Sequence, residues 1–99
     1  MPTYISHINL TEQGIRNVKD SPKRLDAVKK QLKELGGELK AFYMTQGAYD
    51  ALLSYEIPND TVLAKLLLQV GSAGNVRTAT VRAYTEGEYR EIMAGLRSS

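Results

Sequence analysis

The sequence predicts an α+β sandwich, four antiparallel strands carrying helices on one face, and three observations carry that prediction. Segments with strand and helix periodicity follow one another as strand, helix, strand, strand, helix, strand, helix. The second and third strands are joined across a glycine-marked turn in which Gly47-Ala48-Tyr49-Asp50 stands between two apolar runs. Two right-handed split strand-helix-strand units in that order close into one βαββαβ sheet, the ferredoxin-like arrangement, and the last helix is an addition to it.

Each element has its own local reason. Thr3 to Leu10 alternates, with Tyr4, Ile8 and Leu10 on one side and Ile5 and His7 on the other, so the first strand is apolar on both faces. Thr11 to Lys19 is a polar connector around Gly14, with room for a short helical turn. Asp20-Ser21-Pro22 opens the first long helix, with Ser21 as cap and Pro22 at the first helical position, where its missing N–H costs nothing. Leu25, Val28, Leu32 and Leu35 form its apolar stripe, and Gly36-Gly37 ends it by supplying the left-handed conformation that a helix terminus needs.

Glu38 to Met44 and Tyr49 to Ile57 are the second and third strands, joined by Thr45 to Ala48. In the third, Tyr49, Ala51, Leu53, Tyr55 and Ile57 share one face and Asp50, Leu52, Ser54 and Glu56 the other. The first set reads as core. The mixed second set suits a face that a partner covers or that lines a cavity. Asn59 or Asp60 caps the next helix, whose body from Val62 to Val70 is apolar except at Lys65 and Gln69. A helix so apolar around its circumference calls for burial on more than one side, and a second copy of the chain is the surface at hand. Gly71 to Asn75 leads into a fourth strand, Val76 to Tyr84. Thr85 and Glu88 then form a capping box for a final helix striped by Tyr89, Ile92, Met93 and Leu96.

Composition narrows the chemistry. The chain has 99 residues, 42% hydrophobic and 24% charged, which suits one soluble domain over residues 1–99. Without cysteine, disulfides, thiolate metal sites and thiol nucleophiles are excluded. The 13 basic and 11 acidic side chains are interspersed, so neither nucleic acid nor a membrane surface is an expected partner. No signal-peptide pattern opens the chain, and a cytoplasmic location is the expectation.

Two segments carry a family likeness. Gly-Ala-Tyr-Asp at 47 to 50 and Gly-Asn-Val-Arg-Thr at 74 to 78 closely resemble the signatures of the GYD-domain family of small bacterial and archaeal proteins. Leu10-Thr11-Glu12-Gln13-Gly14 and Ser21-Pro22 extend the likeness over nearly the whole chain. The resemblance implies a ferredoxin-like subunit that assembles through its open sheet face as a dimeric α+β barrel. It implies no activity and no cofactor. Met44, where the family often has an aromatic residue, and Tyr84, where Phe is frequent, are the departures, and both bear on the lining of a pocket.

The candidate chemistry is sparse. His7, the only histidine, would serve as a general base in an intersheet cavity, with Asp50 or Glu56 as its orienter; its ordinary alternative is a surface or hydrogen-bonded histidine. Tyr49 reads as a phenol acid or as a packing residue, and Asp50 as a catalytic carboxylate or a turn cap. Together with His7 and Asp50, Phe42, Met44, Leu52 and Ser54 are the candidate lining of a ligand site. No spacing supports a metal site. The glycines at 71 and 74 do not make a phosphate loop, because they follow the negative end of a helix and not the positive start of one. The basic run Lys19, Lys23, Arg24, Lys29, Lys30 and Lys33 reads as a solvated helix face.

These readings predict a homo-oligomer, dimeric or larger, acting as a non-catalytic small-molecule-binding or regulatory module. The alternative is a cofactor-independent oxygenase or isomerase with His7 as base. A regulatory module that meets another protein through a sheet edge is a third reading.

Overall fold

The computed structural model describes residues 1–98. Its elements are β1 (Thr3–Leu10), a one-turn helix α1 (Glu12–Arg16), a 3-10 turn over Val18–Asp20, α2 (Ser21–Glu34), β2 (Glu38–Met44), β3 (Ala51–Glu56), α3 (Asp60–Ser72), β4 (Val76–Ala83) and α4 (Glu86–Ala94). The strands form a single antiparallel sheet in the order β2-β3-β1-β4. With β1 and β3 central and β1 parallel to β2 across β3, this is the ferredoxin-like sandwich expected from the order of elements.

Register decides what each face receives. Tyr4 pairs with Tyr55 and Arg82, Ser6 with Leu53 and Thr80, and Ile8 with Ala51 and Thr78, so these residues share the face on which α2 and α3 lie. The core there consists of Tyr4, Leu32, Leu53, Tyr55, Ile57 and Leu66, with Leu25, Val28, Leu35, Leu39, Val62, Leu63 and Val70 packed on it. The α2 stripe predicted from three- and four-residue spacing is thus the surface that meets the sheet. Ser6 is the one buried polar side chain among the described residues, and its Oγ lies 2.8 Å from the Tyr55 hydroxyl and 2.7 Å from Thr80 Oγ1. A hydroxyl chain of this kind satisfies groups that would each cost about 1–3 kcal/mol if left unpaired.

Helix ends follow the sequence with one correction. Asn59 Oδ1 accepts from Val62 N–H at the start of α3, and Thr85 and Glu88 complete the capping box of α4. At the end of α2, Gly36 N–H donates to Lys33 O and Gly37 N–H to Leu32 O, the paired pattern that closes a helix on a left-handed glycine. The start of α2 differs from expectation: Asp20 occupies the cap position without a side-chain hydrogen bond, and Ser21 is already helical. The 3-10 turn runs directly into the helix, so the chain never takes the extended conformation from which Ser21 would cap.

α4 lies at the margin of the packed body, and its apolar stripe of Tyr89, Ile92, Met93 and Leu96 is exposed and adds nothing to the buried core. Arg82 Nη2 ties its first turn to β4 through Glu88, 3.8 Å away. The chain has extents of 54 × 31 × 18 Å and a radius of gyration of 15.3 Å, against about 13 Å for a compact domain of this length.

Candidate functional site

The two signature segments meet at one end of β1. Asp50 N–H donates to Ile8 O (2.8 Å), its carboxylate Oδ2 accepts from Leu10 N–H (2.8 Å), and its carbonyl accepts from Thr45 N–H (2.9 Å). Thr45 Oγ1 also donates to Tyr49 O (2.8 Å). Asp50 therefore pins the β2–β3 connection onto the central strand. On the other side, Thr11 N–H donates to Asn75 O (3.0 Å), Thr11 Oγ1 to Gly74 O (2.6 Å), and Gln13 Nε2 to Ala73 O (3.1 Å) and Asn75 Oδ1 (3.0 Å). Gly14 is buried against this loop so closely that a Cβ would collide with the Asn75 carbonyl, and Gly74 has a φ of 83°. The glycine-rich segment presents carbonyls that are already engaged by α1, so its role is to latch that helix to β4.

This arrangement revises three sequence expectations. The third strand begins at Ala51 and not at Tyr49, because residues 45 to 50 are drawn into the clamp around Asp50. Tyr49, being outside the strand, escapes its alternation: its ring packs on His7 with centroids 4.5 Å apart, on the face opposite Leu53. Neither proposed orienter serves His7: Asp50 bonds Leu10 N–H and lines the helix-side cavity, Glu56 is paired with Lys40 Nζ at 3.2 Å, and neither is hydrogen-bonded to the ring. Among the described residues, no side-chain hydrogen bond involves the His7 ring.

The six candidate lining residues divide across the sheet. His7, Leu52 and Ser54 lie on the open face, which no helix covers; Val81 (52% exposed) and Tyr43 (62%) stand beside half-buried Ile5 and Leu52. Phe42, Met44 and Asp50 lie on the helix side, where they help to line a cavity of about 790 Å³ between α2, α3 and the sheet. A register shift between Leu39 and Ala41 places Phe42 and Met44 on that side, because one extra residue puts Leu39 and Phe42 on the same face. The cavity also takes in Arg24, which the sequence placed only within a solvated basic run.

Electrostatic perturbation is confined to structural groups. The hydrogen bond from Tyr4 Oη to Asp60 Oδ1 (2.6 Å) holds the Tyr4 phenol above its usual range, with burial adding to the effect. Burial raises Tyr55, offset by its hydroxyl partners Ser6 and Thr80. The backbone N–H of Thr85 holds Glu88 below the ordinary carboxylate value. The described residues contain no group of three or more potential metal ligands. None of their helices is long and apolar enough to cross a membrane.

Comparison with known proteins agrees with the fold. A curated relative from Thermus thermophilus, described as a glutamine synthetase and cystathionine beta-lyase binding protein, is 31% identical over 84 residues, which are 84% of this chain and 88% of that protein. Among solved structures, a feast or famine regulatory protein from M. tuberculosis complexed with L-methionine superposes with a TM-score of 0.64 at 19% identity, over 87% of this chain. The Mycobacterium tuberculosis leucine response regulatory protein gives 0.55 at 17% identity over 85%. This chain spans about half the length of both regulators, 54% and 51%, and at such identities the likeness is one of fold. A hypothetical protein from Pyrococcus horikoshii gives 0.55 at 19% identity, covering 87% of this chain and 93% of that one. The family model of the GYD domain matches residues 4–93, the span that holds both halves of the β1 clamp, and the chain belongs to the GYD domain family.

Proposed function

We propose that this protein is a non-catalytic binding module of the cytoplasm that pairs with a second copy across its open sheet face and, so assembled, docks on metabolic enzymes. The observation that carries this reading is the bare face itself. One side of the sheet is packed under α2 and α3, while the other presents Tyr43, Val81, Ile5 and Leu52 without a covering layer. Contiguous apolar surface of that kind belongs to an interface more often than to a free monomer surface. The stripe of α4 adds further uncovered apolar area to the same assembly. Enzyme docking is supported by the T. thermophilus relative, which is described as binding two enzymes. His7 packs on Tyr49 without an orienting acceptor, so the base-catalysed alternative has no geometry behind it here.

Sedimentation at micromolar concentration tests the assembly. The wild type is expected as a dimer or larger, and the double variant Tyr43→Asp, Val81→Asp as a folded monomer that no longer binds a purified glutamine synthetase retained by the wild type. A monomeric wild type overturns the reading.

A further inference from the structure

The helix side of the sheet is packed at one end and open at the other. Leu32, Tyr55 and Leu66 are buried and form the floor of the cavity of about 790 Å³. Ile8, Leu25, Val28 and Val70 line it as well, and they are only half-buried although they pack on the core. Phe42 and Met44, exposed members of the same lining, stand at its mouth. Two charged side chains enter the lining, and they differ in what they can offer. Arg24 Nη1 donates to Asn17 O at 3.1 Å and Nη2 is enclosed by protein, so Arg24 gives the wall its methylenes and not its guanidinium. Asp50 Oδ2 accepts from Leu10 N–H at 2.8 Å, while Oδ1 has no hydrogen-bond partner among the described residues and, unlike Arg24 Nη2, is not enclosed.

We propose that this cavity binds an uncharged apolar molecule ending in a hydroxyl group, whose O–H donates to Asp50 Oδ1 and whose hydrocarbon body lies along Ile8, Leu25, Val28 and Val70. Its volume falls within the range of small-molecule pockets, which are mainly apolar with a few polar groups that fix orientation. Charge decides the nature of the head. A carboxylate would meet Asp50 at like charge. An ammonium would lie in the field of Arg24 and of the positive start of α2, which reaches the lining through Ser21 and Pro22. A hydroxyl supplies the donor that the open carboxylate oxygen accepts and takes no charge out of water. Met44 at the mouth is flexible enough to close over bodies of different shape.

The site goes beyond the pairing reading, since it lies on the other side of the sheet from the proposed interface. Hexan-1-ol, octan-1-ol, octanoate and octylamine are the probes, titrated calorimetrically and followed by methyl chemical shifts. Octan-1-ol is expected to move the methyls of Val28, Leu53 and Val70 but not those of Val81, and to bind more tightly than hexan-1-ol by about fourfold per added CH₂ group. Octanoate and octylamine should each bind about tenfold more weakly than octan-1-ol, or worse. Asp50→Asn keeps an oxygen for Leu10 N–H and removes the charge, so it should narrow the gap between octan-1-ol and octanoate by about fivefold. The cost of drawing a carboxylate out of water is the same in both proteins, and the narrowing therefore reads Asp50 alone. Circular dichroism confirms that the variant is folded. The Tyr43→Asp, Val81→Asp protein should bind octan-1-ol as the wild type does, so loss of pairing and loss of the ligand site are read separately. No binding of octan-1-ol, no gain with chain length, equal affinity for either charged probe, a gap unchanged by Asp50→Asn, or shifts confined to the Val81 face would each overturn the proposal.

Discussion

Leu52 and Leu53 are neighbours on β3, and they belong to different environments. Leu53 points under α2 and α3 and is buried; Leu52 points to the bare face and is half-buried. The same contrast holds along β1, where Tyr4 and Ser6 are buried and Ile5 and His7 are not. Both faces are supplied with apolar residues by the period-two alternation, yet the chain has only enough helix to cover one. One face holds the protomer together, and the other is left for an encounter.

The comparison can be broken most directly at that pair of leucines. Leu53→Ala is expected to lower unfolding stability by about 2–5 kcal/mol, as for other truncations that leave a cavity in a core. Leu52→Ala should cost less than about 1 kcal/mol in the monomeric Tyr43→Asp, Val81→Asp background, because little area is removed from water there. Urea midpoints of the two variants in that background make the measurement, and equal losses would erase the distinction between the faces.

A smaller effect sharpens the view of the clamp. Asp50→Ala leaves Leu10 N–H without its acceptor and is expected to cost about 1–3 kcal/mol, with Asp50→Asn recovering part of it because the amide oxygen can still accept. Amide exchange at Leu10 should quicken in the alanine variant. An unchanged exchange rate would mean that the carboxylate does not hold that strand end.

The smallest effect is alkaline. The raised values of Tyr4 and Tyr55 mean that the folded protein favours their protonated phenols. That contribution is complete below the ordinary tyrosine value near pH 10 and is lost as pH rises through the raised folded values. Stability on the helix-covered side should therefore hold to about pH 10 and decline above it. Lys40, raised by Glu38 and Glu56, loses stability in the same direction, so the Tyr4 share is the difference between wild type and Tyr4→Phe across pH 9.5 to 11.5. A difference that does not change over that window removes the proposed role of the Tyr4–Asp60 bond.

Much of this architecture is legible in the chain. The α2 stripe, the Gly36-Gly37 stop, the Asn59 cap and the Thr85–Glu88 box depend on residues within a few positions of one another, and each appears where spacing puts it. What escaped depends on contacts distant in sequence. The shift at Lys40, which sends Phe42 and Met44 to the helix side, follows from pairing with β3 and leaves no mark in the alternation of β2. Asp50 reads locally as a turn cap; that it bonds the amide of Leu10, 40 positions earlier, is a property of the sheet. Arg24 carried no signal at all within its basic run, because it stands among five lysines and all six cations read as solvated until the fold places one against a cavity. The likeness to the family spoke to the fold and was silent on that cavity.

The projecting last helix has a consequence for how the molecule can change. Its stripe contributes nothing to the buried set that fixes the sheet, so substitutions at Tyr89, Ile92, Met93 or Leu96 are expected to alter folding stability little while changing the apolar surface the arm presents. Affinity for whatever the arm meets is thereby tuned on a separate dial from the durability of the body, with Arg82 and Glu88 as the joint between them.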